Sequence, residues 1–384
     1  MILTNGQENA IRTVVERYKA GESYTTIVGY GGTGKSTVIP YIIEALGINE
    51  EDVVYSSLTG KAAMVLREKG CTNAMTLHKL LYIPRKIKNT DDVEFIPKDC
   101  LEDNPKLIVV DEASMVSKEM FELLLSHKTH IIFLGDNFQL PAIGASANIV
   151  DKPHAVLTEI TRQALDSPII RLSMDIREGK PIMYGGSKNA FVMPREKVSP
   201  RLLLGADIIL SGTNNMRRYL NDEVRKLKWG DAYQADPMNG DKLICLRNYW
   251  KITDKFDEVP LLNGMIGTID RLKFTDTKKL KPKMTARFIA ESGEIFDKTK
   301  FNIDYKLLTT GTPTVNNQNF RDFYKVQRPL EFDYGFAITT HRAQGSQWDK
   351  VLIFAEQMGR SEKEYRQFLY TAVTRAVDKC VLVV

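Results

Sequence analysis

Cysteine is scarce in this chain of 384 residues, and long apolar runs are absent from it. The four cysteines lie far apart with no C-x-x-C pair, which argues against a zinc site and predicts reduced thiols in a reducing compartment. The N-terminus has no basic segment followed by an apolar core, and no apolar run reaches the length of a membrane span. We therefore expect a cytoplasmic protein without a membrane partner.

An excess of charge of one sign is also lacking, because 53 Lys and Arg residues stand against 48 Asp and Glu residues, a net charge of +5. A net charge this small is compatible with a polyanionic partner but is not evidence for one. Histidine is rare as well, and His127, His130 and His154 have no acidic or cysteine neighbours at metal-ligand spacing. No internal repeat or low-complexity tail is visible. An apolar content of 43% and this length predict two or three folded domains.

The most informative feature present is a glycine-rich segment, residues 29–36 (GYGGTGKS), between a strand-like run and a helix-like one. It fits the phosphate-loop pattern G-x-x-x-x-G-K-[ST] in its required context. Glycines let the backbone approach phosphate oxygens, and the amides point at the anion from a helix N-terminus. The segment predicts binding of a nucleoside triphosphate with Mg²⁺; the alternative is an ordinary glycine-rich turn. The residues predicted to cradle the phosphates are Gly31, Gly32, Thr33, Gly34, Lys35, Ser36 and Thr37, with Lys35 reaching the β and γ phosphates and Ser36 holding the metal.

Strand-like and helix-like patterns alternate along the first part of the chain. Such alternation predicts an α/β fold, a parallel sheet covered by helices on both faces. Ligands of such sheets bind at the carboxyl ends of the strands, which is where the polar motifs of this chain fall. The predicted strands are residues 25–28, 53–56, 107–110 and 131–134.

Two of these strands end in acidic or amide side chains. Asp111 and Glu112 follow one strand, so we expect Asp111 to hold Mg²⁺ and Glu112 to act as general base toward the attacking water. Gln139 follows the next strand and could sense the γ phosphate. The alternatives are an acidic pair that caps the next helix and an ordinary strand-ending turn.

The order of motifs resembles that of the superfamily 1 DNA helicases, and within them the RecD-like, Dda-like group. The resemblance covers nearly the whole chain. Besides the phosphate loop, the acidic pair and the Gln139 turn, it is carried by residues 58–63 (LTGKAA), 76–78 (TLH), 157–163 (LTEITRQ), 339–346 (TTHRAQGS) and 369–376 (LYTAVTRA).

This resemblance implies two RecA-like P-loop lobes with ATP between them and a groove for single-stranded DNA across both. The short charged segment after residue 82 would form a duplex-splitting pin, or alternatively a solvated loop whose aromatic packs on its own lobe. The implied domains are lobe 1A (1–82 and 105–166), pin insert 1B (83–104), lobe 2A (167–240 and 325–384) and an SH3-like β-barrel insert 2B (241–324).

For the nucleotide, the resemblance implies that Arg162 and Arg375 act as arginine fingers on the γ phosphate. It also implies that Gln7 reads the adenine base and that Gly345 adjoins the nucleotide. The alternative for each arginine is a surface salt bridge. For Gln7 the alternative is a capping box with Thr4, which opens the first helix.

For DNA, the resemblance implies contacts from short polar side chains that can be made and broken repeatedly. Phe95 would stack on a base, while Thr213 and Asn214 could equally cap the following helix. The implied DNA residues are Thr59, Lys61, Thr76, His78, Phe95, Thr213, Asn214, Thr340, His341 and Gln344.

Together these features predict a monomer-capable, ATP-dependent DNA helicase that translocates on single strands and opens single-strand/duplex junctions. The 5′ to 3′ direction is implied by the resemblance alone. Single-strand-binding proteins or replication and recombination proteins are the expected protein partners. One alternative is a DNA-stimulated ATPase that remodels protein–DNA complexes without unwinding. A non-enzymatic DNA-binding adaptor fits poorly, because every catalytic position of the ATP site is filled.

Overall fold

The structure is a computed structural model that describes residues 3–68, 70–86, 93–141, 147–249, 261–275, 283–297, 301–314, 329–357, 359 and 361–384. The chain forms two compact units. The first unit comprises Met1–Ile83, Phe95–Lys197 and Ala343–Val384, and the second comprises Pro84–Glu94 and Val198–Arg342. Among the described residues, no helix is long and apolar enough to cross a membrane.

The helices and strands of the described residues follow in chain order. The helices are α1 (Asn5–Lys19), α2 (Lys35–Leu46), α3 (Gly60–Glu68), α4 (Leu77–Leu81), α5 (Lys118–Ser126), α6 (Arg162–Leu165), α7 (Pro168–Arg177), α8 (Pro200–Gly205), α9 (Asn214–Trp229), α10 (Tyr305–Thr310), α11 (Thr340–Ala343) and α12 (Glu362–Val373). The strands are β1 (Tyr24–Gly29), β2 (Val53–Ser57), β3 (Met75–Thr76), β4 (Tyr82–Lys86), β5 (Val93–Pro97), β6 (Leu107–Val110), β7 (His130–Gly135), β8 (Ala155–Leu157), β9 (Gly185–Gly186), β10 (Ala190–Met193), β11 (Ile208–Ser211), β12 (Lys242–Cys245), β13 (Ile266–Thr275), β14 (Lys283–Ala290), β15 (Ile295–Phe296), β16 (Asn302–Ile303), β17 (Phe332–Tyr334), β18 (Ala337–Thr339), β19 (Trp348–Phe354) and β20 (Ala376–Val383).

A parallel sheet in the order β3-β2-β6-β7-β1-β8 organises the first unit. Its inner strands are buried along their whole length because helices cover both faces. Apolar residues of α1 and α2 pack on one face, and those of α4 and α5 pack on the other. The predicted parallel α/β sheet is therefore confirmed, and β1, β2, β6 and β7 begin and end within one residue of the predicted strands.

The first unit also contains strands from the end of the chain. β19 and β20 pair in parallel, β20 pairs in parallel with β10, and β9 joins β10 as an antiparallel edge strand. Helices α7 and α12 pack against each other beside these strands. The C-terminal motif on α12 thus belongs to the same compact unit as the phosphate loop.

The second unit combines a parallel pair with an antiparallel sheet. β11 and β18 are parallel neighbours next to α9, and β12 to β15 with β17 form the sheet in the order β15-β14-β13-β12-β17. Side chains of β14 alternate between buried and accessible, so that one face packs on a core containing Phe288, Phe301 and Phe332. That this sheet is an SH3-like barrel stays a prediction.

The predicted pin segment contains the paired strands β4 and β5. Residues 87–92 of this segment lie outside the described residues. The two units group residues 167–197 and 343–384 with the phosphate loop, whereas the resemblance assigns them to the second lobe. The boundaries of lobes 1A and 2A and of inserts 1B and 2B therefore stay a prediction.

Candidate nucleotide and nucleic-acid site

The phosphate loop connects the carboxyl end of β1 to the first turn of α2. Gly32 and Gly34 adopt positive φ angles of 82° and 76°, a conformation that side-chain-bearing residues rarely tolerate. A Cβ at Gly34 would also lie 2.5 Å from the Gln7 Nε2. The sequence folds this way because only glycine permits the turn that aims the first amides of α2 outward as an anion site.

The Lys35 side chain is held over this loop. Its Nζ donates hydrogen bonds to the Gly29 and Tyr30 carbonyl oxygens, at 2.6 and 3.1 Å, while the Thr33 hydroxyl donates to the Tyr30 carbonyl at 2.8 Å. A cation and a set of helix N-terminal amides therefore lie together, which is the arrangement that binds phosphate oxygens.

Ser36 and Asp111 line one cavity beside α2, together with Thr37. Ser36 is exposed and Asp111 is half-buried, and the Asp111 Oδ1 accepts the backbone amide of Glu112 at 2.9 Å. A hydroxyl and a carboxylate on facing strand and helix ends suit Mg²⁺, which binds through one or two protein oxygens and the substrate phosphates. The residues present fit that ion.

Glu112 has an unusual backbone and an unusual environment. Its φ angle is 56°, in the left-handed region that residues other than glycine seldom adopt, and such strain is common at functional sites. The Glu112 Oε1 lies 3.7 Å from the Arg375 Nη1. Burial raises the pKa of Glu112, and the positive charges of Arg375 and Lys35 oppose that rise. The carboxyl therefore lies within electrostatic reach of both cations, as a general base beside a phosphate would.

Gln139 lies in a tight turn after β7. The Asp136 carboxylate accepts the Phe138 amide at 3.0 Å, and the Asp136 carbonyl accepts the Gln139 amide at 3.4 Å. The Gln139 side chain is buried, and its Oε1 has no hydrogen-bond partner among the described residues. Because a buried unpaired carbonyl is costly, this oxygen is suited to accept from water or another ligand.

Of the two arginines predicted to act as arginine fingers, the structure describes the side chain of Arg375 but not that of Arg162. Arg375 is buried, and its guanidinium donates to the Thr371 carbonyl at 3.1 Å and to the Ser346 carbonyl at 3.4 Å. Such burial is unlike the surface salt bridge that was the alternative. Arg162 begins α6, but its side chain lies outside the part of the chain that the structure describes. Both finger roles stay predictions.

Gln7 forms the capping box that sequence reasoning offered as an alternative. Its backbone amide donates to the Thr4 hydroxyl, and its Oε1 accepts the Thr4 amide at 3.0 Å. Its Nε2 donates to the Thr33 carbonyl at 3.2 Å, which ties α1 to the phosphate loop. Recognition of adenine by the same amide stays a prediction.

Two residues at this site escaped sequence reasoning. The Tyr370 hydroxyl accepts the Gly31 amide at 2.8 Å and donates to the Asp136 carboxylate at 2.6 Å. The Arg177 guanidinium stacks on the Tyr30 ring with its carbon 3.7 Å from the ring centre. Tyr370 lies inside the motif of residues 369–376, which was a signal, whereas no pattern in the sequence marks Arg177.

In the first unit, the predicted DNA threonines begin helices. The Thr59 hydroxyl accepts the Ala62 amide, and the Thr76 hydroxyl accepts the Lys79 amide, each at 3.2 Å. A hydroxyl used this way still has its own hydrogen to donate, and it lies beside helix N-terminal amides. The Lys61 side chain lies outside the described part of the chain.

His78 and Phe95 lie together at the base of the β4–β5 pair. The Phe95 ring centre is 5.7 Å from that of His78 and 6.2 Å from that of Tyr82. This packing matches the alternative in which the aromatic side chain rests on its own lobe. Burial lowers the pKa of His78, so its imidazole is neutral at physiological pH. Base stacking by Phe95 stays a prediction.

In the second unit, Thr213 caps α9 by accepting the Met216 amide at 3.2 Å, and Asn214 is the first residue of that helix. This is the capping role that was left open. Thr340 is fully buried, with its hydroxyl 3.4 Å from the Ser211 carbonyl oxygen, to which it donates. Burial lowers the pKa of His341.

Gln344 and Gly345 belong to the first unit. The Gln344 side chain is buried and its Nε2 donates to the Leu140 carbonyl at 2.7 Å. Gly345 has a φ of 71°, and a Cβ there would lie 3.0 Å from the Thr59 hydroxyl. The structure thus brings Gly345 to Thr59 and commits the Gln344 amide to the turn after β7; the DNA contact of Gln344 stays a prediction.

Two protein-family models match parts of the chain that contain most residues of this site. An AAA domain matches residues 2–190, which include the phosphate loop and Gln139. A UvrD-like helicase C-terminal domain matches residues 334–383, which include Gln344, Tyr370 and Arg375.

Known helicases are similar to the chain over nearly its whole length. It is 31% identical to the ATP-dependent DNA helicase dda of Enterobacteria phage T4, over 97% of both chains. It is 26% identical to the ATP-dependent RecD2 DNA helicase of Deinococcus radiodurans, over 94% of this chain and 47% of that protein. The chain thus spans about half the length of the latter relative. The crystal structure of a Bacteroides Pif1 helicase with ADP-AlF3 and single-stranded DNA shares the fold, with a TM-score of 0.53 at 16% identity, covering 100% of this chain and 92% of that one.

These similarities place the chain in a class of ATP-dependent DNA helicases that bind the nucleotide with a phosphate loop. The chain belongs to the superfamily 1 DNA helicases of the RecD-like, Dda-like group.

Proposed function

We propose that the chain hydrolyses ATP with Mg²⁺ to translocate 5′ to 3′ along single-stranded DNA and to unwind duplex DNA at single-strand/duplex junctions. It would act as a monomer in the cytoplasm, alongside single-strand-binding or replication and recombination proteins. One observation carries the proposal. Arg375, near the end of the chain, reaches within 3.7 Å of Glu112, the predicted base.

The chemistry follows from the charges around the phosphate loop. The first amides of α2 and the Lys35 ammonium would bind the β and γ phosphates, and Arg375 would neutralise the charge that develops on the transferred group. Glu112 would accept the proton of the attacking water, since burial raises its pKa toward the range of a useful base. Mg²⁺, held by Ser36 and Asp111, would supply further neutralisation between the phosphates.

The DNA side is proposed from hydroxyls at helix starts. Thr59, Thr76 and Thr213 each cap a helix, so each hydroxyl lies at a helix N-terminus, where backbone amides favour an anion such as a phosphate. Neutral histidines at 78 and 341 add no fixed charge. Contacts of this kind are weak one by one, which suits a strand that must move.

Unwinding assays with a single-stranded tail at either the 5′ or the 3′ end test this proposal. We expect ATP-dependent opening of the 5′-tailed duplex and ATP hydrolysis that single-stranded DNA stimulates. Opening of only the 3′-tailed duplex would refute the polarity. Stimulated hydrolysis without opening of either duplex would instead favour the remodelling ATPase, and absence of hydrolysis would refute both functions.

A further inference from the structure

The Tyr370 hydroxyl joins two loops of the nucleotide site. It accepts the amide of Gly31 in the phosphate loop at 2.8 Å and donates to the Asp136 carboxylate in the turn after β7 at 2.6 Å. The side chain exposes 1% of its surface, and its ring packs edge-on against Phe138. One buried hydroxyl therefore satisfies a donor on one loop and an acceptor on another.

The turn after β7 is held again two residues beyond Phe138. The Leu140 amide donates to the hydroxyl of Thr371, the neighbour of Tyr370 on α12, at 2.8 Å. The Leu140 carbonyl accepts the Gln344 Nε2 at 2.7 Å. Both polar groups of one backbone unit are thus fixed by side chains from the last segment of the chain, and Gln139 lies within the fixed turn.

The same connections continue toward a predicted DNA residue. Gly345 follows Gln344 directly, and it approaches Thr59 so closely that a Cβ would lie 3.0 Å from the threonine hydroxyl. Hydrogen bonds thus link Gly31 to Tyr370, Tyr370 to Asp136, and Leu140 of the same turn to Gln344. Gly345, the next residue, lies close to the Thr59 side chain. All of these residues belong to the first unit.

We propose that Tyr370 is a positioning residue that couples the phosphate loop to the Gln139 turn, and through Gln344 to the DNA-contacting segment at Thr59. This inference rests on the proposed function, since it needs a DNA-stimulated ATPase. Tyr370 touches no reacting atom. It acts by holding Gly31 and Asp136 in register, so that a strand bound near Thr59 sets the position of Gln139 over the nucleotide.

Removal of the Tyr370 hydroxyl deletes one hydrogen bond from Gly31 and one from Asp136. The half-buried Gly31 amide would lose its acceptor and the buried Asp136 carboxylate would lose a donor, so both groups would shift to find water or another partner. Lys35 and the α2 amides keep their places in the phosphate loop, so nucleotide binding should suffer less than the response to DNA.

The test is the Tyr370→Phe variant, which keeps the ring and deletes one oxygen. We expect the DNA-stimulated kcat to fall about tenfold, the size of one lost charge-assisted hydrogen bond, and to fall more than the DNA-free kcat of the same variant. Tyr365→Phe is the matched control, a half-buried tyrosine on the same helix, and it should match wild type.

Asp136→Asn weakens the same hydrogen bond by changing its acceptor. This variant also tests the inference if Tyr370→Phe fails to fold. If both residues act through one hydrogen bond, the double variant loses less than the product of the two single losses. A lower melting temperature with unchanged stimulation, in Tyr370→Phe or in Asp136→Asn, would overturn the inference and leave only a structural role. Lack of DNA stimulation in wild type would count against the proposed function instead.

Discussion

The nucleotide residues and the predicted DNA residues of this chain differ in how the fold holds them. Lys35, Glu112, Gln139 and Arg375 lie in one unit and are buried or half-buried around the phosphate loop. The DNA residues are divided between two units, and the threonines among them use their hydroxyls to cap helices or, at position 340, to bond a strand.

This difference reflects the chemistry that each set would serve. Phosphoryl transfer gains from charges fixed in a water-poor site, where each interaction is strong. A moving strand gains from contacts that are individually weak and easily exchanged. Single substitutions should therefore have large effects at the nucleotide residues and small ones at the DNA residues.

The largest effect is expected for Lys35→Ala. The substitution removes the ammonium that lies over the phosphate loop, so both ATP binding and hydrolysis should fall to background, a loss of at least about 100-fold. Steady-state hydrolysis and binding of a fluorescent nucleotide measure the two effects. Lys19→Ala, an exposed lysine at the end of α1, is the control. Substantial DNA-stimulated hydrolysis in Lys35→Ala would contradict the site.

Glu112→Gln should separate binding from chemistry. The amide keeps the size of the side chain but cannot accept a proton, so turnover should drop about 10²- to 10⁴-fold while ATP affinity is retained. Single-turnover hydrolysis and equilibrium nucleotide binding give the two numbers. Retained turnover in this variant would remove Glu112 from the role of base.

The pH dependence of hydrolysis should report the same carboxyl. Burial raises the pKa of Glu112, and a base works only when ionised, so the rate should fall as pH drops through that raised pKa. The acid limb of kcat against pH should lie above the range of an exposed glutamate. Since Arg375 opposes the rise, Arg375→Gln should move the residual acid limb to still higher pH; a limb that stays in place would show that another group titrates.

A smaller effect is expected on the DNA side. Thr59→Ala removes one hydroxyl donor, so affinity for single-stranded DNA should weaken about fivefold, equivalent to roughly 1 kcal/mol. Fluorescence anisotropy at fixed salt measures it, with the exposed Thr72→Ala as control. A loss as large as 100-fold would make Thr59 a tight anchor and erase the contrast between the two sets.

The smallest effect is expected for chemical labelling of the cysteines, which belong neither to the nucleotide residues nor to the predicted DNA residues. Burial raises the pKa of Cys245 and of Cys380 to about 12, so neither forms much thiolate at pH 8. Exposed Cys100 should react with a thiol reagent in the native protein. Mass spectrometry of the labelled chain identifies the sites, and fast labelling of Cys245 or Cys380 would mean that its sheet opens readily.

Local patterns predicted four of the six strands of the first sheet, β1, β2, β6 and β7, because each is a short apolar run that ends in a polar motif. They missed β3 and β8, which are only two and three residues long. They also predicted the phosphate loop, whose positive φ angles require glycine at fixed spacing. Tyr370 and Arg177 were not assigned roles, because what makes them important is a partner far away in the chain. The same limit applied to Thr59 and Gln344, since a side chain type does not reveal whether it faces a strand of DNA or a backbone carbonyl.

The hydrogen bond between Gly31 and Tyr370 joins residues 339 positions apart. During synthesis the phosphate loop leaves the ribosome long before α12 exists, and contacts of such separation form late. A nascent chain could therefore form its phosphate loop well before Tyr370 is present to connect that loop to the turn after β7. A chain that ends after the first parallel sheet but before residue 370 has the phosphate loop and lacks the hydroxyl that joins this loop to the Gln139 turn.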